Sequence, residues 1–465
     1  VSQWGHDFRP EYRQLDVLPE RFPGVPRVAL TATADVRTRR EIVDCLRLQA
    51  ARAFVSSFDR PNIRYRVEAK RNGRAQLLDF LAGHRGESGI VYCLSRRKVE
   101  AVAEFLIGKG FDALPYHAGF DAETRARHQR RFVHGDGVIV VATVAFGMGI
   151  DKPDVRFVAH MDVPRSIEGY YQETGRAGRD GLPAEAWMAY GLADVVGLRQ
   201  LIDRSPADDV RKHVERSKLE ALLAYAETTR CRRELLLGAF DEAFSGPCGN
   251  CDNCLSSPAT WDATVAAQKA LSAVYRSGQR FGAGYVIDIL RGMDGPRVRE
   301  LGHDHLSTFG IGRELDGSRW QAVFRQLLAG GFLAVNEHGA LRLTPESRPL
   351  LRGEQPLRLR QALRPARSGT QRKRTVASPA SEMVEAAERA LWERLRAVRK
   401  RLASEHGVPP YVIFHDATLL ELLRARPTTA EQFGKIGGVG QAKRQRYAAA
   451  FIEVFRESAA ADRET

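Results

Sequence analysis

The chain has 465 residues, 43% of them hydrophobic, and a formal net charge of +14. That length accommodates about three to five domains with ordinary cores, and the positive excess points toward polyanionic partners. No apolar run reaches the roughly eighteen residues of a membrane span, no signal-peptide pattern opens the chain, and six cysteines, four of them bunched, argue for one metal site in a reducing compartment rather than a disulfide framework.

The first feature in chain order is SQWGHDFRPEY at residues 2–12, where Trp4, His6, Phe8 and Arg9 combine ring faces with a cation. Such rings can stack on bases while the arginine reaches a phosphate, or they can pack on their own domain. Residues 28–30 read as a short apolar strand, 31–34 as its C-terminal loop, and 35–46 as a helix capped by Asp35. FDRPNI at 58–63 is a turn-rich connector and is expected to be a hinge. Strands and helices then alternate. Residues 89–93, 113–117, 138–143, 156–160 and 184–190 read as strands, with helices opened by Ser95 and Asp121 between them. This alternation predicts a doubly wound parallel sheet.

Residues 172–181, QETGRAGRDG, carry Arg176 and Arg179 three positions apart, each preceded by glycine. On a helix start that spacing puts both guanidiniums on one face, and the glycines let another surface approach. A guanidinium fork grips oxygens of phosphate or carboxylate. A pair presented from one domain can complete a phosphate site held by another, as arginine fingers do. Taken alone, a solvated basic turn fits the same residues.

Residues 193–256 read as amphipathic helices ending in Cys231, Cys248, Cys251 and Cys254, a C-x16-C-x2-C-x2-C pattern. Four thiolates complete a tetrahedral shell for zinc and leave no open position, so the site is expected to be structural. DEAF at 241–244 mimics an acidic Mg²⁺-binding box but lies between the cysteines, and is set aside. Residues 257–352 combine helical periodicity with a hairpin signal at 332–343, the pattern of a winged helix. His303 lies in LGHDHLSTFG, just before the expected recognition helix. An arginine-rich linker follows at 353–380. The remainder is helical. It contains Tyr411, placed either for base stacking or in a core, and Gly437, Gly438 and Gly440 ahead of a basic helix, a plausible phosphate site.

Taken together and in order, these segments resemble the RecQ family of superfamily-two helicases. Residues 172–181 resemble motif VI, QxxGRxxR, and VVATVAFGMGIDKPDVRFVAH at 140–160 resembles the RecQ form of motif V. LTATA at 30–34 is similar to motif III, and residues 2–12 to the aromatic-rich loop. The resemblance implies a multidomain chain: the remainder of a first RecA-like α/β domain (1–57), a second RecA-like domain (58–192), a helical zinc-binding module (193–256), a winged helix (257–352), the linker, a small all-α HRDC domain (381–458) and a tail (459–465). It also implies an ATP-dependent DNA helicase moving 3′ to 5′ on single strands, in DNA repair, recombination and the SOS response. In that reading Arg176 and Arg179, organised by Gln172, stabilise the transferring phosphoryl group, and Gly149 and Asp151 join them at the nucleotide. Thr143 and Met148 contact the DNA backbone, with Trp4, His6, Phe8, Arg9, His303 and Tyr411 as further DNA contacts.

No G-x-x-x-x-G-K-[ST] loop and no acidic box after a strand occur in the chain. By the resemblance both are expected upstream of Val1, so that ATP and Mg²⁺ bind together with that missing lobe. The expected partners are single-stranded, forked or partly duplex DNA, with the single-stranded-DNA-binding protein as a further candidate and no membrane. The expected location is the bacterial cytoplasm, at the nucleoid. A DNA-binding scaffold without ATPase activity is the alternative. An RNA helicase is disfavoured by the four cysteines combined with a winged helix.

Overall fold

A computed structural model describes residues 15–31, 36–147, 150–361, 383–384 and 386–464. Trp4, His6, Phe8, Arg9, Asp35, Met148 and Gly149 lie outside the described residues.

Six strands form one parallel sheet: β1 (Ile63–Ala69), β2 (Ser88–Tyr92), β3 (Ala113–Tyr116), β4 (Ile139–Ala142), β5 (Val155–His160) and β6 (Ala184–Tyr190). Their order is β1-β6-β5-β2-β4-β3, and every neighbouring pair is parallel. All residues of β2, β4, β5 and β6 are buried, which explains the continuous apolar run of β4. Alternate residues feed two cores. Val91, Phe157 and Trp187 pack under the helices Gly73–Leu81 and Arg96–Ile107. Tyr92, Val140 and Val158 pack with Phe132 and Tyr170 of the helices Ala122–His134 and Ile167–Thr174. The expected caps form: Ser95 accepts from the Lys98 amide and Asp121 from the Thr124 amide.

Residues 28–30 do not form the expected strand. Val28 and Leu30 are 79% and 91% exposed. Among the described residues no strand lies beside them, and a strand needs a partner for its backbone groups.

The helices Leu192–Asp203, Asp209–Glu227 and Arg232–Gly238 lead into the cysteine cluster. Arg232 is fully buried and holds Asp252 at 2.5 Å, and Asp252 accepts the Val67 amide of β1 at 3.0 Å. The module is thereby bolted to the sheet edge. The winged helix comprises the helices Thr264–Arg276, Ala283–Arg291 and Gly317–Ala329 with the antiparallel pair Leu333–Val335 and Leu341–Leu343. Arg325 pairs with Glu227 at 2.5 Å, and Arg199 donates to the carbonyls of Leu328 and Leu333, so the winged helix and the zinc module are one packed body.

The stretch expected to be a linker starts with structure. Arg358–Arg360 pairs antiparallel with Thr260–Asp262 and buries Leu359 to 6% exposure. The arginine-leucine-arginine alternation is a short period-two strand signal that the surrounding basic composition masks.

The C-terminal helices Arg389–His406, Asp416–Ala425 and Gln441–Glu464 enclose Phe414, Phe433 and Phe451. They dock on the sheet's N-terminal edge. Arg399, 1% exposed, bonds Asp416 at 2.7 Å and faces Asp136 at 3.7 Å, while Arg396 donates to the Gly86 carbonyl. Burial opposes ionisation of Asp416, yet the guanidiniums of Arg399, Arg156 and Arg396 hold it down at about 2. Its stabilisation is therefore complete above the ordinary carboxylate range and is lost only as pH falls from there through the folded value. Among the described residues no helix is long and apolar enough to cross a membrane.

Candidate functional site

The loop carrying the arginine pair follows the helix Ile167–Thr174 and returns to the start of β6. Ser166 caps that helix by accepting from the Gly169 amide. Glu173, buried on the same helix, pairs with His160 at the end of β5 at 2.7 Å. Gly178 has φ of +58°, and a Cβ there would stand 2.4 Å from Asn62 Nδ2, so glycine alone lets the loop close on the sheet.

Both guanidiniums grip the segment that precedes β5. Arg176 Nη1 donates to the Gly147 carbonyl, and its Nε is buried with no hydrogen-bond partner among the described residues. Arg179 Nη1 donates to the Ile150 carbonyl at 3.0 Å and to Asp151 Oδ1 at 2.7 Å. The Arg179 side chain is 36% exposed and that of Asp151 is 86% exposed, so this ion pair sits in water and is weak. A Cβ on Gly147 would lie 2.3 Å from Arg176 Nη2, which accounts for glycine at that place. Gln172 is half-buried on the helix that leads into the loop.

Residues 143–154 run from the C-terminal end of β4 to the N-terminal end of β5. Thr143 closes the first edge, where its amide donates to the Tyr116 carbonyl and its hydroxyl accepts from the Ala145 amide. The Tyr92 hydroxyl donates to the Phe146 carbonyl, and Phe146 is 1% exposed, so core packing is what that ring does. Thr143 therefore stands at the C-terminal end of β4, and Arg179 holds Ile150 and Asp151 ahead of β5. One segment, held by Tyr92, Arg176 and Arg179, joins them.

The second site is the cysteine cluster. The sulfurs of Cys231, Cys248, Cys251 and Cys254 all lie within 4.8 Å of one another, with 3.9 Å between Cys248 and Cys254. Sulfurs about 2.3 Å from a zinc ion stand about 3.8 Å apart at the corners of a tetrahedron, so the donor set fits. Gly249 turns the chain with φ of +66°, and the Asn250 amide donates to Cys248 Sγ, a contact that supports a thiolate ligand. Burial pushes the Cys251 thiol up, and a cation is what compensates a cluster of thiolates there.

Four domain families match the chain in succession: Helicase conserved C-terminal domain over residues 72–181, RecQ zinc-binding over 192–255, RQC domain over 257–368 and HRDC domain over 388–455. A protein called ATP-dependent DNA helicase RecQ from Pasteurella multocida (strain Pm70) is 46% identical over 460 residues, covering 98% of this chain and 72% of the relative. The chain belongs to the RecQ helicase family. Its likeness extends to the proteins of the same name from Haemophilus influenzae, 45% identical with 98% and 73% coverage, and Bacillus subtilis, 34% identical with 97% and 74% coverage. The RecQ zinc-binding match and the four convergent sulfurs together make the cluster a structural zinc site.

Two expected DNA contacts of this RecQ chain are placed otherwise than as free surface groups. His303 is 9% exposed, bonds the Tyr285 hydroxyl at 2.8 Å and packs edge-on to Phe281. Its aromatic neighbours claim it for packing, and burial with the nearby Arg280 pushes its imidazole down. Tyr411 is half-buried. Its hydroxyl donates to the Asp151 carbonyl at 3.4 Å and its ring stacks on His415. The glycine loop at 437–440 is also engaged, because the Gly437 amide donates to Glu421.

The sequence reading missed Arg60, Asn62 and Arg233, which surround the arginine loop and its approach. The only local signal was an arginine and an asparagine flanking Pro61. Glu242, set aside as a false acidic box, accepts from the Ser57 hydroxyl and the Phe58 amide and so clasps the same approach.

Proposed function

We propose that this chain is the second motor lobe and DNA-binding arm of an ATP-dependent DNA helicase that moves 3′ to 5′ on single strands and serves repair and recombination. The observation that carries the reading is the pair Arg176 and Arg179, which hold Gly147, Ile150 and Asp151 from one loop. Phosphoryl transfer needs charge stabilisation on the transferring group, and a trans arginine supplies it once another element holds the phosphates and Mg²⁺. As lobes close on ATP, Arg179 exchanges its exposed partner Asp151 for phosphate oxygens. Gly149 and Asp151 flank the nucleotide, and Gln172 orders the pair. Thr143 and Met148 take the DNA backbone, with Trp4, His6, Phe8 and Arg9 as the stacking loop. The segment 143–154 then links the nucleotide to the DNA mechanically. Single-stranded-DNA-binding protein is a partner on this reading, and the nucleoid its place of action.

The test on the chain itself is DNA binding. It is expected to bind single-stranded and forked DNA, and with about six phosphate contacts the affinity falls by roughly 10³-fold between 50 and 200 mM salt. A titration followed by anisotropy at several salt concentrations measures this, and salt-independent binding would contradict it. The second reading is a DNA-binding scaffold without ATPase activity. The two readings separate on whether the full-length gene product hydrolyses ATP.

A further inference from the structure

Residues 57–63, which include the expected hinge, form a strap against the arginine loop. Arg60 spreads its guanidinium over three carbonyls of the arginine loop: Nη1 to Gly175 at 2.9 Å, and Nη2 to Ala177 at 2.8 Å and Gly178 at 3.0 Å. Asn62 Nδ2 adds Gly178 and Leu182 at 2.8 Å each. The backbones on either side of Arg176, and the one just before Arg179, are therefore fixed by side chains from the strap.

The strap is itself held from the far side by the zinc module. Arg233, 3% exposed, donates to the carbonyls of Arg60 and Ile63 and pairs with Asp59 at 3.1 Å. Phe58 stacks on Phe240 with centroids 4.8 Å apart, and its carbonyl accepts the Tyr171 hydroxyl. Arg233 lies two residues beyond the metal-site Cys231, at the start of the same helix. A continuous run of contacts thus leads from the zinc module through the strap to the arginine loop.

We infer that Arg60 is a positioning residue for ATP hydrolysis: it sets the reach of Arg176 and Arg179 by clamping the carbonyls of their loop, and the zinc module anchors it. This rests on the reading of the pair as the trans charge-stabilising element. The chemistry favours a positioning role over simple packing. A planar fork that satisfies three carbonyls at once fixes the direction of a loop, which an apolar contact does not do. Displacing a stabilising group by about 1 Å costs on the order of 10²-fold in rate.

The test is DNA-stimulated ATP hydrolysis by the full-length gene product carrying Arg60→Ala, Arg60→Lys, Arg179→Ala and the double change Arg60→Ala with Arg179→Ala. Arg60→Ala is expected to lower kcat by about 10- to 100-fold, with KM for ATP, affinity for single-stranded DNA and zinc content within about twofold of the parent. Arg60→Lys, which keeps the charge and loses the fork, recovers only part of the rate. The double variant is expected to be no slower than Arg179→Ala alone within about threefold, because both changes remove one function. If Arg60→Ala does not fold, the lysine variant carries the same comparison. Arg60→Ala at parental kcat, or two losses that multiply in the double variant, overturns the inference. If instead Arg179→Ala turns over normally, or the parent shows no DNA-stimulated turnover, the underlying reading fails and takes the strap's role with it.

Discussion

Replacing Arg179 with alanine in the full-length gene product is expected to lower kcat for ATP hydrolysis by about 10³-fold or more, the scale on which arginine fingers act. The structure gives the reason for a selective effect. Arg179 is a poor candidate for a stability residue: its side chain is 36% exposed and its ionic partner Asp151 is 86% exposed, so the pair contributes little to folding. The loop it belongs to is held by other means, through Arg60, Asn62 and the buried pair of Glu173 with His160. The melting temperature and DNA affinity of Arg179→Ala are therefore expected to stay near the parent values while turnover collapses. Steady-state phosphate release with saturating single-stranded DNA measures this, and a variant with normal turnover removes the role assigned to the pair. Arg176→Ala is expected to lose stability as well, because Arg176 is more enclosed and it holds the Gly147 carbonyl.

Loss of zinc is the second large effect. Elemental analysis is expected to find one Zn²⁺ per chain, and Cys251→Ser to give a chain whose zinc module unfolds. Structural zinc contributes on the order of 10 kcal/mol to small metal-dependent folds at neutral pH. Cys251 is completely buried and bridges to Tyr65 of β1, and the neighbouring Asp252 receives both Arg232 and the Val67 amide. Unfolding there therefore exposes the edge of the sheet and frees the buried Arg232, with aggregation as the expected outcome. Circular dichroism and limited proteolysis with and without a chelator follow the loss. A soluble, well-folded preparation without metal would sink the structural assignment.

What could be read from residues alone was what depends on local pattern. The β-branched run at 138–143 and the alternation of strands with helices announced a parallel sheet, because burial on both faces favours continuous apolar side chains. The cysteine spacing announced zinc because tight C-x2-C pairs can meet only at a common centre. What escaped was set by partners distant in sequence. Arg60 reaches carbonyls more than a hundred residues away, and a lone arginine beside a proline carries no mark of that. The packing of His303, expected as a DNA contact, against Phe281 and Tyr285 is likewise not marked in its local sequence. Residues 28–30 had the composition of a strand without a neighbour to pair with, and Arg358–Arg360 gained one from Thr260–Asp262. Docking of the C-terminal helices on Gly86 and Asp136 is likewise invisible in the sequence, since neither Arg396 nor Arg399 differs in pattern from the exposed arginines around it.

The central claim is that this RecQ-family chain belongs to a motor whose ATP site is completed by Arg176 and Arg179. Unwinding of tailed duplexes by the full-length gene product tests it most directly, with strand separation followed by fluorescence in the presence of ATP and Mg²⁺. The account predicts ATP-dependent separation of a duplex with a 3′ single-stranded tail, little on one with a 5′ tail, and none with Arg179→Ala. Tight DNA binding with no ATP-dependent separation of either duplex, or equal separation by Arg179→Ala, would contradict it.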